Sequence, residues 1–195
     1  MRKINGDNPG SFLHRLLYFY QCLSDHRKGI NDSCDIFKPA LSLSNLNTFN
    51  KTPSRLLCDA FWNSIDYENL KLKLNSNLNF FDIGCGSGSY GKFLKKIASD
   101  CFSSYTGLDI YKNHNYPTEF NHITSKAENV YQYINEETNF ILSQSALEHI
   151  EKDSFVLEEI TKKLTKNNKY FIQIHMVPAS MCLWLYLWHG YRQYS

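Results

Sequence analysis

The sequence predicts an α/β fold, a three-layer sandwich in which helices cover both faces of a mostly parallel sheet. Three observations predict it. Asn79 to Gly91 (NFFDIGCGSGSYG) runs from an apolar strand through a glycine-rich turn toward a helix. A second short strand, Ser104 to Ile110, carries the acid Asp109 at its end. Strand and helix patterns then alternate as far as Met176, as chained strand–helix–strand units do.

A chain of 195 residues suffices for one hydrophobic core. Residues 1–66 read as N-terminal helices and a loop, and residues 67–195 as the core with an aromatic final segment, 177–195. A formal net charge of +2 exerts no general pull toward nucleic acid. The six cysteines, at 22, 34, 58, 85, 101 and 182, form no C-x-x-C pair. That pattern suits reduced thiols in the cytoplasm, not a disulfide framework or a zinc site. The N-terminus lacks the apolar core of a signal peptide, and no stretch reaches the length of a membrane span.

Taken in order, residues 1–10 are polar. Ser11 to Ser24 carries a helical stripe at Phe12, Leu13, Leu16, Leu17, Tyr20 and Leu23, with Ser11 as N-cap. Asp25 to Thr52 is rich in Asn and Ser and reads as a long loop with room for one helical turn. Pro53 to Asp66 reads as a second helix, proline in its first turn and Leu56, Leu57, Ala60, Phe61 and Ile65 on its buried side. This region either caps the ligand side of the core or simply packs on the sheet.

Phe80, Phe81 and Ile83 form the apolar run of a strand buried on both faces, and Lys92 to Ser99 is helical. Between them the glycines fit two registers. Gly86-Ser-Gly88-Ser-Tyr-Gly91 fits the dinucleotide fingerprint, a weak signal by itself. Asp82-Ile-Gly84-Cys-Gly86-Ser-Gly88 is the other register, and Asp82 separates the two. An acid at the strand end repels a pyrophosphate but attracts a ligand carrying an ammonium and a sulfonium. The second register resembles motif I of the class I S-adenosylmethionine-dependent methyltransferases. The resemblance implies a Rossmann-like sandwich and S-adenosyl-L-methionine as cofactor. It further implies that Gly84, Gly86 and Gly88 pass under the methionine moiety, with Asp82 facing that end, often through water.

Asp109 stands where a three-layer α/β protein places a carboxylate against the ribose hydroxyls of a nucleoside. A carboxylate accepting two hydroxyl hydrogen bonds suits that diol. The bland alternative is an acid capping a turn. A third strand begins near His122, and the family places the turn after it, here Ala127 and Glu128, against the adenine. An exposed turn before a helix explains that segment equally well. Phe140 to Leu142 make a fourth strand, and Ser143 to Ser145 leave it at the ligand edge, with Ser143 a cofactor-binding candidate.

Leu147-Glu148-His149-Ile150 resembles an element of a methyltransferase subgroup that includes many small-molecule enzymes. Asp153 to Leu164 follows as an amphipathic helix, and Lys169 to Met176 as a fifth strand. Where the subgroup has Leu-Lys-Pro-Gly-Gly, this chain has Leu164-Thr-Lys-Asn167-Asn168. Asparagine tolerates the left-handed conformation that glycine would supply. Ser145-Ala-Leu-Glu148 also spells a capping box, which would give Glu148 no chemistry. His149, beside the fourth strand's tip, and His175, at the fifth strand's tip, are candidates for a base or a substrate contact. Each reads equally as a packed histidine.

The tail, Val177 to Ser195, is aromatic and nearly all-round apolar from Leu183 to Trp188. It reads as a helix closing over the substrate pocket, with Trp184, Tyr186 and Trp188 against the substrate, or as a membrane-surface contact or a protein interface. The family's sheet has seven strands, and too few residues follow Met176 for a helix and two more. The expectation is therefore five strands in the order 3-2-1-4-5, with the family's last two missing. The fifth strand is then an open edge, or an oligomer partner covers it, or a C-terminal part is lacking.

The function these readings imply is methyl transfer to a small-molecule acceptor such as a sugar, lipid or quinone-like compound. Nucleic acid is not expected as a partner. The chain has neither an Asn/Asp-Pro-Pro-aromatic motif nor a Pro-Cys pair, and no basic stripe interleaved with aromatics. Three rivals stand beside it: a cofactor-binding relative that is inactive or truncated, an NAD-dependent oxidoreductase, and a membrane-surface protein led by its tail.

Overall fold

The structure is a computed structural model, and it describes Asp7 and residues 11–27, 53–166, 170–178 and 190–191. The expectations for the loop 28–52, for the Asn167–Asn168 turn and for Leu183 to Trp188 lie outside the described residues. The elements in chain order are α1 (Phe12–Arg27), α2 (Pro53–Asn63), α3 (Tyr67–Leu74), β1 (Leu78–Ile83) and α4 (Ser89–Ile97). They continue with β2 (Phe102–Asp109), β3 (Asn121–Thr124), β4 (Phe140–Gln144), α5 (Asp153–Lys166) and β5 (Ile172–Met176). Two short 3₁₀ segments, Ala127–Gln132 and Leu147–His149, follow β3 and β4.

All described strand pairs are parallel, and the order is β3-β2-β1-β4-β5. β1 lies at the centre because both its faces are apolar. Phe80 points to one layer, with Trp62, Phe93, Phe140 and Leu142. Phe81 and Ile83 point to the other, with Ile141, Val156 and Ile160 of β4 and α5. The register aligns Ile83 with Leu108 and with Ser143, Asp109 with Thr124, and Ser143 with His175. The strands therefore end level with one another, and their C-terminal loops meet at a single edge, where ligands bind in sheets of this kind.

Two expectations need correction. The second helix stops at Asn63, and the Pro53–Asp66 reading merged it with the approach to a separate helix, α3. The Asp66 carboxylate caps α3 by accepting the Asn69 N–H at 3.0 Å, and Asn75 closes it in the left-handed conformation. Trp62, fully buried like Asp59 and Ala60 of the same helix, packs against Phe140, so α2 packs on the sheet's own core. The stripe on α1 faces outward: Phe12, Leu13 and Tyr20 are exposed, and the buried positions are Tyr18 and Cys22.

Candidate active site

A cavity of about 460 Å³ opens at the C-terminal edge of the sheet. Ile83 and Gly84 form its floor, and Asp109, Ile110 and Tyr111 form the side that follows β2. Lys126, Ala127 and Glu128 come from the turn after β3. Opposite stand Ser145, Ala146, His149, Ile150 and Glu151 from the loop after β4, together with Tyr191 from near the chain's end.

The glycine loop shows why each glycine is there. Gly84, Gly86 and Gly88 have φ of +75°, +53° and +70°, a region that side-chain-bearing residues avoid. A Cβ on Gly84 would collide with Ala146, and one on Gly88 would meet the ring of Tyr116 at 2.7 Å. Only Gly86 faces open space, with nothing within 4 Å of where its side chain would begin. Two of the three glycines therefore pack the loop tightly on its neighbours, and the third leaves room for a ligand.

Asp109 ties this loop to β2. One carboxylate oxygen accepts the Gly86 N–H at 2.9 Å, and the other accepts the Tyr111 N–H at 3.0 Å. Two carboxylate oxygens offer about four acceptor positions, so these bonds leave capacity for a pair of hydroxyls. Three other loop amides are spent within the protein: Gly84 and Cys85 donate to the Leu108 carbonyl at 2.7 and 3.2 Å, and Gly88 to that of Cys85 at 2.9 Å.

Asp82 is not on the cavity wall. Its carboxylate is 2% exposed, on the α4 side of the sheet, where the hydroxyl of Tyr105 donates to Oδ2, while Oδ1 has no protein partner. Burial raises its pKa to about 7; the Tyr105 bond lowers it and the nearby charge of Asp109 adds to the rise. Asp82 thus stands behind the glycine loop and off the cavity lining. Burial likewise pushes the thiol of Cys85 well above its ordinary range.

Ser143 also falls away from the cavity. It is fully buried, and its hydroxyl meets His175 Nδ1 at 2.8 Å. His175 has its other ring nitrogen 3.3 Å from Gln173 Oε1, and burial lowers its pKa to about 4. His175 thus stays neutral near pH 7, with both ring nitrogens engaged and away from the cavity. His149 does line the cavity, with Nδ1 at 2.5 Å from Asp7 Oδ2 and Nε2 at 3.8 Å from Glu148 Oε1.

The capping box does not form. Ser145 has φ +51° and donates its N–H to the Met176 carbonyl at 2.8 Å. The turn at Leu147–His149 begins after Ala146 with no side-chain cap, and Glu148 is fully buried.

Of the expected site residues, then, Gly84, Asp109, Ala127, Glu128 and His149 share one cavity, with Gly86 at its loop. Asp82, Gly88, Ser143 and His175 do not line it. Sequence reasoning did not single out Ile110, which follows the acid directly. It placed Ser145 at the ligand edge without giving it a role, and read the aromatic tail as closing over the pocket without naming Tyr191.

This arrangement, a parallel sheet with an acid-tethered glycine loop over a cavity, has a counterpart among known domains. Residues 81–172 match the family described as "Methyltransferase domain". Among solved structures, the chain is similar to a SAM-dependent methyltransferase from Archaeoglobus fulgidus, at 18% identity and a TM-score of 0.37, over 50% of this chain and 44% of that one. It is also similar to the plantazolicin methyltransferase BpumL, solved in complex with a pentazolic desmethylPZN analog and SAH, at 16% identity and a TM-score of 0.39. That match covers 57% of this chain and 49% of BpumL, so the chain spans about half the length of the solved structures it matches. No curated protein matches it. Among the described residues no helix is long and apolar enough to cross a membrane, and no group of side chains could hold a metal ion.

Proposed function

We propose that this chain is an S-adenosylmethionine-dependent methyltransferase of the class I type, acting in the cytoplasm on a small-molecule acceptor. One observation carries the reading: Asp109 stands on the cavity wall, fixed by the Gly86 and Tyr111 amides and retaining acceptor capacity for a ribose diol. The open space at Gly86 supports it, because a ligand's backbone-hugging tail fits where a Cβ would stand.

When bound, the cofactor supplies a methyl group on a positively charged sulfur. The chain's task is then mainly positioning, because in-line displacement requires the acceptor about 3–3.5 Å from the methyl carbon. Asp109 orients the ribose, Ala127 and Glu128 flank the base, and Gly84 and Gly86 give the amino-acid end a close approach. Replacing Asp109 by Ala should weaken S-adenosylhomocysteine binding at least about tenfold, since hydrogen bonds to a charged group contribute about 1.5–3 kcal/mol. Calorimetry that returned an unchanged affinity would remove Asp109 from the site.

A second reading, binding without turnover, is favoured by the histidines. His175 is away from the cavity, and His149 Nδ1 is held by Asp7. A methyl-transfer assay over hydroxyl, amine and carbon acceptors, run on protein that binds S-adenosylhomocysteine, separates the two.

A further inference from the structure

The cavity has a wall that neither the glycine loop nor the β2 carboxylate provides. Gly190 and Tyr191, remote in sequence from every other lining residue, are laid against the loop after β4. The Tyr191 N–H donates to the Glu148 carbonyl at 2.6 Å, and the Gly190 N–H donates to Asp7 Oδ1 at 2.8 Å. The other oxygen of the same Asp7 carboxylate holds His149 Nδ1 at 2.5 Å. Gln21 of α1 adds a contact to the Tyr191 carbonyl at 3.4 Å. Gly190 is required by this approach: its φ is +65°, and a Cβ there would strike the backbone of Glu148. Residues from near both ends of the sequence thus converge on one two-residue segment, Glu148–His149, and one of them, Tyr191, reaches the cavity.

We infer that Tyr191 is a ligand-contacting residue of the nucleoside pocket, and that Asp7 is its positioning residue, clasping His149 on one side and Gly190 on the other. The inference rests on the reading of the cavity as an S-adenosylmethionine site. Its chemistry is that of a flat, amphipathic ring beside a purine nucleoside. The ring covers apolar surface, and its hydroxyl can stay at the wet rim. Asp7 contributes through geometry: one carboxylate, with two oxygens, fixes both the cavity-lining imidazole and the glycine that precedes Tyr191.

The test is equilibrium and stopped-flow binding of S-adenosylhomocysteine to the full chain. Tyr191→Ala should raise Kd about tenfold, the change residing in a faster dissociation, and Tyr191→Phe should retain most of the affinity. Asp7→Ala should weaken binding by a similar factor, while Asp7→Asn, which still offers an oxygen to the Gly190 N–H, should restore most of it. Each variant's unliganded melting curve identifies any that fail to fold, and Tyr191→Ala, at a half-exposed residue, then remains the deciding one. Affinities for Tyr191→Ala and Asp7→Ala within about twofold of wild type, with Asp109→Ala still weakened, would overturn this inference and leave the methyltransferase reading standing. No binding by the wild type would overturn both.

Discussion

Gly84 and Gly86 differ by two positions and share a left-handed backbone, yet the space around them assigns different costs to a methyl group. At Gly84 it would meet Ala146 across a packed contact; at Gly86 it would project into open space. Gly84→Ala should therefore lose stability, by about 1–3 kcal/mol from the backbone conformation plus whatever the collision adds. Gly86→Ala should be milder in a urea titration and should instead lose S-adenosylhomocysteine affinity. If the two variants behaved alike in both measurements, the distinction between a packing glycine and a ligand-facing one would fail. The sequence shows both as glycines in one motif, because the motif encodes the dihedral angle and not the neighbour. The same limit applied to Asp82 and Ser143. Their positions at strand ends were legible, but the face each side chain takes depends on strand parity and on partners such as Tyr105 and His175 that lie far along the chain.

Among the elements, the strands were the most legible, since apolar runs between turn signals mark them locally. Helix α3 was not recognised, although its punctuation is present: Asp66 at the start and Asn75 at the end. It is only eight residues long, its Leu70 and Leu74 pack against the core beside Tyr67, and the Tyr67 hydroxyl donates to the Trp62 carbonyl at 2.8 Å. Asp66→Ala should cost about 1 kcal/mol, read as a lower urea midpoint with an unchanged slope. An unchanged midpoint would mean that packing alone holds α3. The outward stripe on α1 is the converse case. Periodicity identified the helix correctly, and burial, which depends on what lies beside it, ran against the pattern.

Across the whole molecule, two buried titratable groups give stability opposite slopes against pH. Asp82 is an acid whose pKa rises on folding to about 7 from an ordinary value of about 3.9. The folded state binds its proton more tightly, so this contribution is fully present below about pH 4 and is lost as pH rises toward 7. His175 is a base whose pKa falls on folding to about 4 from about 6.5. The unfolded state binds that proton more tightly, so this contribution is present above about pH 6.5 and is lost as pH falls toward 4. Each slope reaches at most about 1.4 kcal/mol per pH unit, and in the wild type they largely oppose one another. Urea midpoints for Asp82→Asn should therefore rise more steeply than wild type from pH 4.5 to 6.5, and those for His175→Gln should fall. Matching slopes in all three proteins would remove both groups from the balance. The strand order itself was readable because the glycine register and the order of the later motifs resemble a family whose sheet order is known. The wall at Tyr191 was not, since only the folded chain brings residues 7, 148 and 191 together.

Trp62 is fully buried and donates its indole N–H at 2.9 Å to Gln144 Oε1, on the residue that immediately precedes the cavity-lining Ser145. An indole so enclosed emits at short wavelength, and its emission answers to small changes in the dipole it faces. One of the chain's three tryptophans is thus joined by a single hydrogen bond to the residue beside the crevice. In a variant with Trp184 and Trp188 replaced by Phe, occupancy could be followed through the emission of Trp62 with no label attached.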